Sequence, residues 1–137
     1  MLYVFDSSFV GAQIIPDEKD SEIDRLCQKI KHDDEKQAPQ LLWYEIANIF
    51  KNLTLRKRYT FDDVLQFFPL LAAMRLTTDF KTGTAYSKKI LRLCNDYRLS
   101  AYDAAYLELA ERKNAILCTL DENLIKAAKK NGVVTVE

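Results

Sequence analysis

Leu2-Tyr3-Val4-Phe5-Asp6-Ser7-Ser8 opens the chain, and the fold is read outward from it. The four residues before Asp6 are rich in β-formers and make a short buried strand. Asp6 ends that strand, and Asp6-Ser7-Ser8 supplies helix-start chemistry. The same punctuation returns near the other end. Ala115-Ile116-Leu117-Cys118-Thr119-Leu120 is the clearest strand of the chain, and Asp121 closes it at the start of a helix that runs through Lys130. Short apolar strands flanking amphipathic helices predict a small parallel sheet covered on both faces. Ligands of such sheets bind outside the C-terminal strand ends. Asp6 and Asp121 both occupy such ends, so they are expected to converge.

Between them the pattern is mostly helical. An apolar helix over 9–15 stops at Pro16, and a charged helix over 17–33 carries Ile23, Leu26, Cys27 and Ile30 on one face. Residues 32–37 read as a polar connection. A long helix over 41–59 buries Leu42, Ile46, Ile49, Phe50 and Leu53. Glu45 lies about a quarter turn from the centre of that stripe, at the border of the core. Arg56-Lys57-Arg58 suits the negative end of the helix dipole. Thr60 is a candidate N-cap for the strongly apolar stretch 61–74, which Pro69 should break, with Pro69 opening a second short helix. A small strand over 75–79 and a helix over 82–97 follow. Ser100 caps a helix over 101–113, Asn131-Gly132 stops the last helix, and 133–136 reads as a closing strand.

The 137 residues fit one domain, 1–137, and 48% apolar content is enough for a real core. Only 3 Gly and 3 Pro leave little room for long linkers. The 20 basic and 20 acidic residues cancel, which argues against a broad non-specific grip on nucleic acid. Cys27, Cys94 and Cys118 have no CxxC or zinc spacing and read as buried free thiols. A reducing, cytoplasmic setting is expected. No N-terminal signal pattern and no stretch long enough to cross a bilayer is visible.

Four acids invite chemistry: Asp6, Glu45, Asp103 and Asp121. Each has an innocent reading. Asp6 and Asp121 can cap helices, Asp103 stands three residues after Ser100 in a capping-box spacing, and Glu45 can pair with a basic side chain. Two strand-end acids with two acids beside apolar helical faces nevertheless exceed what capping requires. Gathered together they could not all stay ionised without a cation between them. Oxygen-only ligands suit Mg2+ or Mn2+.

The chain resembles the PIN-domain ribonucleases, most closely the small VapC type of toxin. Tyr3-Val4-Phe5-Asp6-Ser7-Ser8 matches the family's strand followed by Asp-x-Ser/Thr. Trp43-Tyr44-Glu45-Ile46-Ala47-Asn48 matches its helical Glu motif. Leu99-Ser100-Ala101-Tyr102-Asp103-Ala104-Ala105-Tyr106 matches its third and most specific motif, and Leu117-Cys118-Thr119-Leu120-Asp121-Glu122-Asn123-Leu124 its Thr-x-Asp motif. Asn123 departs from the pattern, because many relatives carry Asp there. The resemblance implies a PIN-like three-layer α/β/α sandwich with a small central parallel sheet and a helical clip.

It also implies Mg2+- or Mn2+-dependent hydrolysis of RNA, leaving a 5′-phosphate and a 3′-hydroxyl. Asp6, Asp103 and Asp121 would hold the metal, and Glu45 would complete the shell or orient the attacking water. Ser8 and Thr119 would bond the acids or a water, and Asn123 would offer a neutral oxygen. A catalytic His is then unnecessary, and the sole histidine, His32, is expected to be exposed. Arg56, Lys57 and Arg58 form the densest basic cluster available to RNA, with Lys88, Lys89 and Arg92 as another. Trp43 and Tyr102 could stack on a base. The apolar surplus of 61–74 suggests a protein partner, which the resemblance makes an antitoxin, alongside a homodimer. A housekeeping RNA-processing PIN nuclease and a non-catalytic PIN-like binding module are the rival readings.

Overall fold

A computed structural model describes residues 1–137 in full. The chain runs β1 (Leu2–Phe5), α1 (Ser7–Ile14), a 3-10 turn (Pro16–Glu18), α2 (Ser21–Cys27), β2 (Glu35–Pro39), α3 (Leu41–Leu55), α4 (Phe61–Leu65) and α5 (Phe68–Ala73). It continues through β3 (Thr77–Asp79), α6 (Thr84–Tyr97), α7 (Ala101–Lys113), β4 (Ile116–Cys118) and α8 (Glu122–Lys130). The strands form one sheet in the order β3-β2-β1-β4. Every pairing is parallel, with Tyr3 opposite Ile116, Val4 opposite Leu117 and Phe5 opposite Cys118. Successive residues of a strand face opposite sides, and Tyr3, Val4 and Phe5 are all buried. β1 is therefore covered from both sides, as the three-layer α/β/α arrangement requires.

α7 is the central helix. It packs on β1, β2 and β4 and is flanked by α6 and α8. Seven consecutive residues, Ala104 to Ala110, are buried. Small Ala side chains let its neighbours approach on several sides. A second helical group is built by α3 packed on α1, β2 and α4. Its buried positions Leu42, Ile46, Phe50 and Leu53 are four of the five expected from the period.

The differences from expectation have local causes. Residues 35–39 form a strand where the sequence suggested a polar connection. Glu35, Lys36 and Gln37 show no apolar alternation, and their place is set by backbone pairing to Leu2, Tyr3 and Val4. α2 ends at Cys27, short of residue 33, because Gln28 to Asp34 turn the chain into that strand. The expected closing strand over 133–136 reduces to a bridge between Leu117 and Thr135. α3 ends at Leu55, and Lys57 takes a left-handed conformation just beyond it. Thr60 does cap the next helix, in a reciprocal capping box with Asp63. The stretch 61–74 breaks at 66–67, and Pro69 stands second, not first, in α5. No helix is long and apolar enough to cross a membrane.

The edge strand β3 is tied down by charge. Arg112 of α7 donates to both Asp79 oxygens, Nη1 to Oδ1 at 3.1 Å and Nη2 to Oδ2 at 2.6 Å. Its Nε donates to Glu108 at 2.5 Å, and Glu108 is only 3% exposed. The guanidinium holds the Asp79 carboxyl below its usual range. Removing one partner of such a pair leaves an uncompensated buried charge. Arg112→Met is thus expected to lower stability by about 3 kcal/mol in urea denaturation; a change well under 1 kcal/mol would show the pairing to be dispensable.

Candidate active site

Asp6 follows β1, and its backbone N–H donates to Cys118 O at 3.1 Å, carrying the β1–β4 pairing one step further. Its side chain caps α1 by accepting from Phe9 N at 2.9 Å. Ser8 Oγ donates to the same oxygen, Oδ1, at 2.7 Å. Thr119 Oγ1 donates to Oδ2. Asp6 is only 4% exposed. Burial pushes its pKa up, the three hydrogen bonds oppose that, and the charge of Asp103 adds to the rise.

The two hydroxyls do more than serve Asp6. Ser8 Oγ also accepts from Leu120 N at 3.0 Å, and Thr119 Oγ1 accepts from Asp121 N at 3.0 Å. They couple the two strand ends. Asp121 is the N-cap of α8, accepting from Leu124 N at 2.9 Å through Oδ1. Its side chain is exposed, and so is that of Asn123, the second residue of the helix.

Asp103 lies in the first turn of α7, where its N–H donates to the N-cap Ser100 Oγ at 3.1 Å. Burial raises its pKa, and the charge of Asp121 raises it further. Glu45 projects from α3, half-buried. Its pKa is raised by burial and by the charges of Asp6 and Asp103, against a hydrogen bond from Tyr106. The structure thus brings Asp6, Glu45 and Asp103 into one electrostatic neighbourhood. Asp121 joins through Asp103 and through Thr119. No three of the chain's His, Cys, Asp and Glu side chains, as they stand, are disposed to ligate one cation. The donor set is all oxygen, and Asp121 keeps Oδ2 free of hydrogen bonds within the protein. By chemistry it fits a hard divalent cation, with side-chain rotation needed to close around it.

Tyr106 is a residue whose role the sequence did not disclose. Its hydroxyl donates to Glu45 Oε1 at 2.5 Å, and its side chain is 1% exposed. The available signal was spacing. Tyr106 follows Asp103 by three residues on one helix, so both face the same way. Glu45 has a phenol as partner where a basic side chain was one expectation. Of the expected stacking residues, Tyr102 stands exposed, whereas the indole N–H of Trp43 donates to Thr78 Oγ1 at 2.8 Å. The basic cluster lies at the far end of α3. Arg58 there is paired with Asp17 at 2.7 Å. Arg56 is eleven residues beyond Glu45, or about 16 Å along a helix axis. His32 is exposed, as expected.

The family model for the PIN domain matches residues 3–130. The chain belongs to the PIN domain family. Solved structures share its fold. PAE2754 from Pyrobaculum aerophilum is 20% identical, with a TM-score of 0.71 over 99% of this chain and 84% of that one. VapBC2 from Rickettsia felis, bound to a DNA fragment from their promoter, is 12% identical, with a TM-score of 0.66 over 98% and 97%. FitAcB from Neisseria gonorrhoeae is 14% identical, with a TM-score of 0.63 over 98% and 96%. A search of curated proteins gives no significant match.

The raised carboxyls have a consequence for pH. A carboxyl whose folded pKa lies above its unfolded value favours the fold most when protonated. That contribution is full below the unfolded pKa and is lost as pH rises through the folded one. In EDTA at neutral pH, Asp103→Asn is therefore expected to melt above the wild type. The gap should close as pH falls below the ordinary carboxylate range, where Asp103 is protonated as well. An Asn variant that melts lower at neutral pH would contradict this.

Proposed function

We propose that the chain is a Mg2+- or Mn2+-dependent endoribonuclease and the toxin of a type II toxin–antitoxin pair. The observation that carries the reading is the meeting of acids from separate elements: Asp6 and Asp121 share the Thr119 hydroxyl, and Glu45 is bonded by Tyr106, one turn along α7 from Asp103. Such an arrangement is costly unless a cation neutralises it. Asp6, Asp103 and Asp121 would hold that cation. Once bound, it would lower the pKa of a water and neutralise charge on the phosphate. Ser8 and Thr119 favour the ionised form of Asp6 against burial and aim its carboxyl. Glu45 orients the attacking water, and Tyr106 fixes the Glu45 carboxyl. Attack at phosphorus breaks the bond to the 3′ oxygen, leaving a 5′-phosphate and a 3′-hydroxyl. Arg56 and Lys57, both exposed, are proposed to meet the RNA backbone away from the cut.

Partner binding is proposed at α4–α5, where Phe61, Leu65, Phe68 and Leu70 are each at least 42% exposed. Exposed apolar side chains in such number suit a protein interface. We assign it to an antitoxin and to a second copy of the chain. All three cysteines are free thiols, in keeping with a cytoplasmic setting.

One observation favours the rival binding-module reading: no three ligands are yet disposed around a cation. Titration calorimetry with Mn2+ separates the two, because a binding module would release no heat. Asp6→Asn, Asp103→Asn and Asp121→Asn should each slow RNA cleavage by more than the roughly 10–100-fold that loss of an outer partner costs. Far-UV circular dichroism should be unchanged. Glu45→Gln should be similarly impaired. Native-rate cleavage by any of these variants in Mg2+ removes that residue from its role.

A further inference from the structure

Tyr44 and Tyr102 stand open beside the carboxylates, 73% and 65% exposed. Neither ring takes part in the aromatic pairs of the protein, which involve only phenylalanines and Tyr59. Their hydroxyls make none of the contacts that anchor Tyr3, Tyr97 and Tyr106. With Glu45 and Asn48 they line a groove of about 500 Å³. Asn48 is one helical turn from both Tyr44 and Glu45, so the three share a face of α3. Tyr102 adjoins Asp103 at the start of α7.

The lining holds two π-faces, one amide and one carboxylate, and no cation. A phosphate entering it would meet Glu45 and be repelled. A neutral flat ring would meet surfaces on which it stacks. We propose that this groove is a nucleobase subsite. An unpaired base of single-stranded RNA, next to the cleaved bond, stacks on Tyr44 and Tyr102, and the Asn48 amide reads its edge. The assignment rests on the ribonuclease reading above and deepens it. Aromatic side chains recognise splayed-out bases in this way, and an amide offers a donor and an acceptor together. The strand's backbone has a path onward. A second groove, about 290 Å³, shares Tyr44 and carries Lys81 beside Asp79, whose charge Arg112 offsets. The subsite therefore requires RNA unpaired at the cut, and duplex RNA is excluded.

The test is fluorescence anisotropy of short labelled RNAs in Mn2+, with Asp121→Asn as background to prevent cutting. Tyr44→Ala and Tyr102→Ala should each weaken single-strand binding about tenfold, and Tyr→Phe at either position should restore it. Both rings are too exposed for their loss to threaten folding. Asn48→Ala should alter the ranking among homopolymers. An abasic nucleotide at the cut should cost the same factor as Tyr44→Ala, with nothing further lost when the two are combined. Unchanged binding by both alanine variants overturns the subsite. So does duplex RNA binding as tightly as single strands, RNA binding that is absent altogether, or loss in these variants of a protein partner's binding alone. If the wild type cuts no RNA in Mn2+ while this binding pattern holds, the ribonuclease reading fails and the subsite stands.

Discussion

Parallel pairing of β1 with β4 governs the molecule. It aligns segments more than a hundred residues apart and extends one hydrogen bond past the end of β1, from Asp6 N to Cys118 O. That last step brings Thr119 onto Asp6 and Asp121 onto Thr119. α7 then lies across β1, β2 and β4 and delivers Asp103 and Tyr106 from the same helical face. α3 meets it through the Glu45–Tyr106 hydrogen bond. Were the register of β1 against β4 to slip by one residue, the strand-end hydroxyls and carboxyls would separate, since side chains alternate along a strand.

The site shows how a fold holds like charges that oppose one another. Asp6 is nearly sealed from water, yet it spends its oxygens on two hydroxyls and a helix N-terminus. Each of these favours the ionised form, while burial and Asp103 act against it. Glu45 is balanced in the same fashion, with one phenol against burial and two carboxyls. Asp121 caps α8 through one oxygen and is exposed, which leaves its other oxygen adaptable. The fixed members sit deep and the adjustable member sits at the rim. That division suits a pocket that must close around something arriving from solvent.

Much of this is legible in the sequence alone. Asp6 and Asp121 end apolar runs, and strand-end placement follows directly from where the runs stop. Ser100 forecasts the start of α7 to the residue. β2 was not readable, because Glu35-Lys36-Gln37 carries no alternating signal and is a strand only through the backbone of β1. The burial of Glu108 was equally hidden, since its partner Arg112 is in turn held by Asp79, 33 residues away in sequence. Spacing puts Tyr106 on the face of Asp103 but does not reveal its partner Glu45, 61 residues away. Trp43 and Tyr44 differ by about 100° around α3. That turn decides which aromatic bonds to β3 and which faces the open groove.

The sheet has little left to offer at its margins. On one side β3 is only three residues long and ends in Asp79, locked to Arg112. On the other, Leu117 exchanges backbone hydrogen bonds with Val134 and Val136. Very short and covered edges block strand-to-strand aggregation. They also leave little backbone edge for recognition by β-augmentation. Surface for docking is then mostly helical side chains, which can be substituted without disturbing the strands that hold the acids.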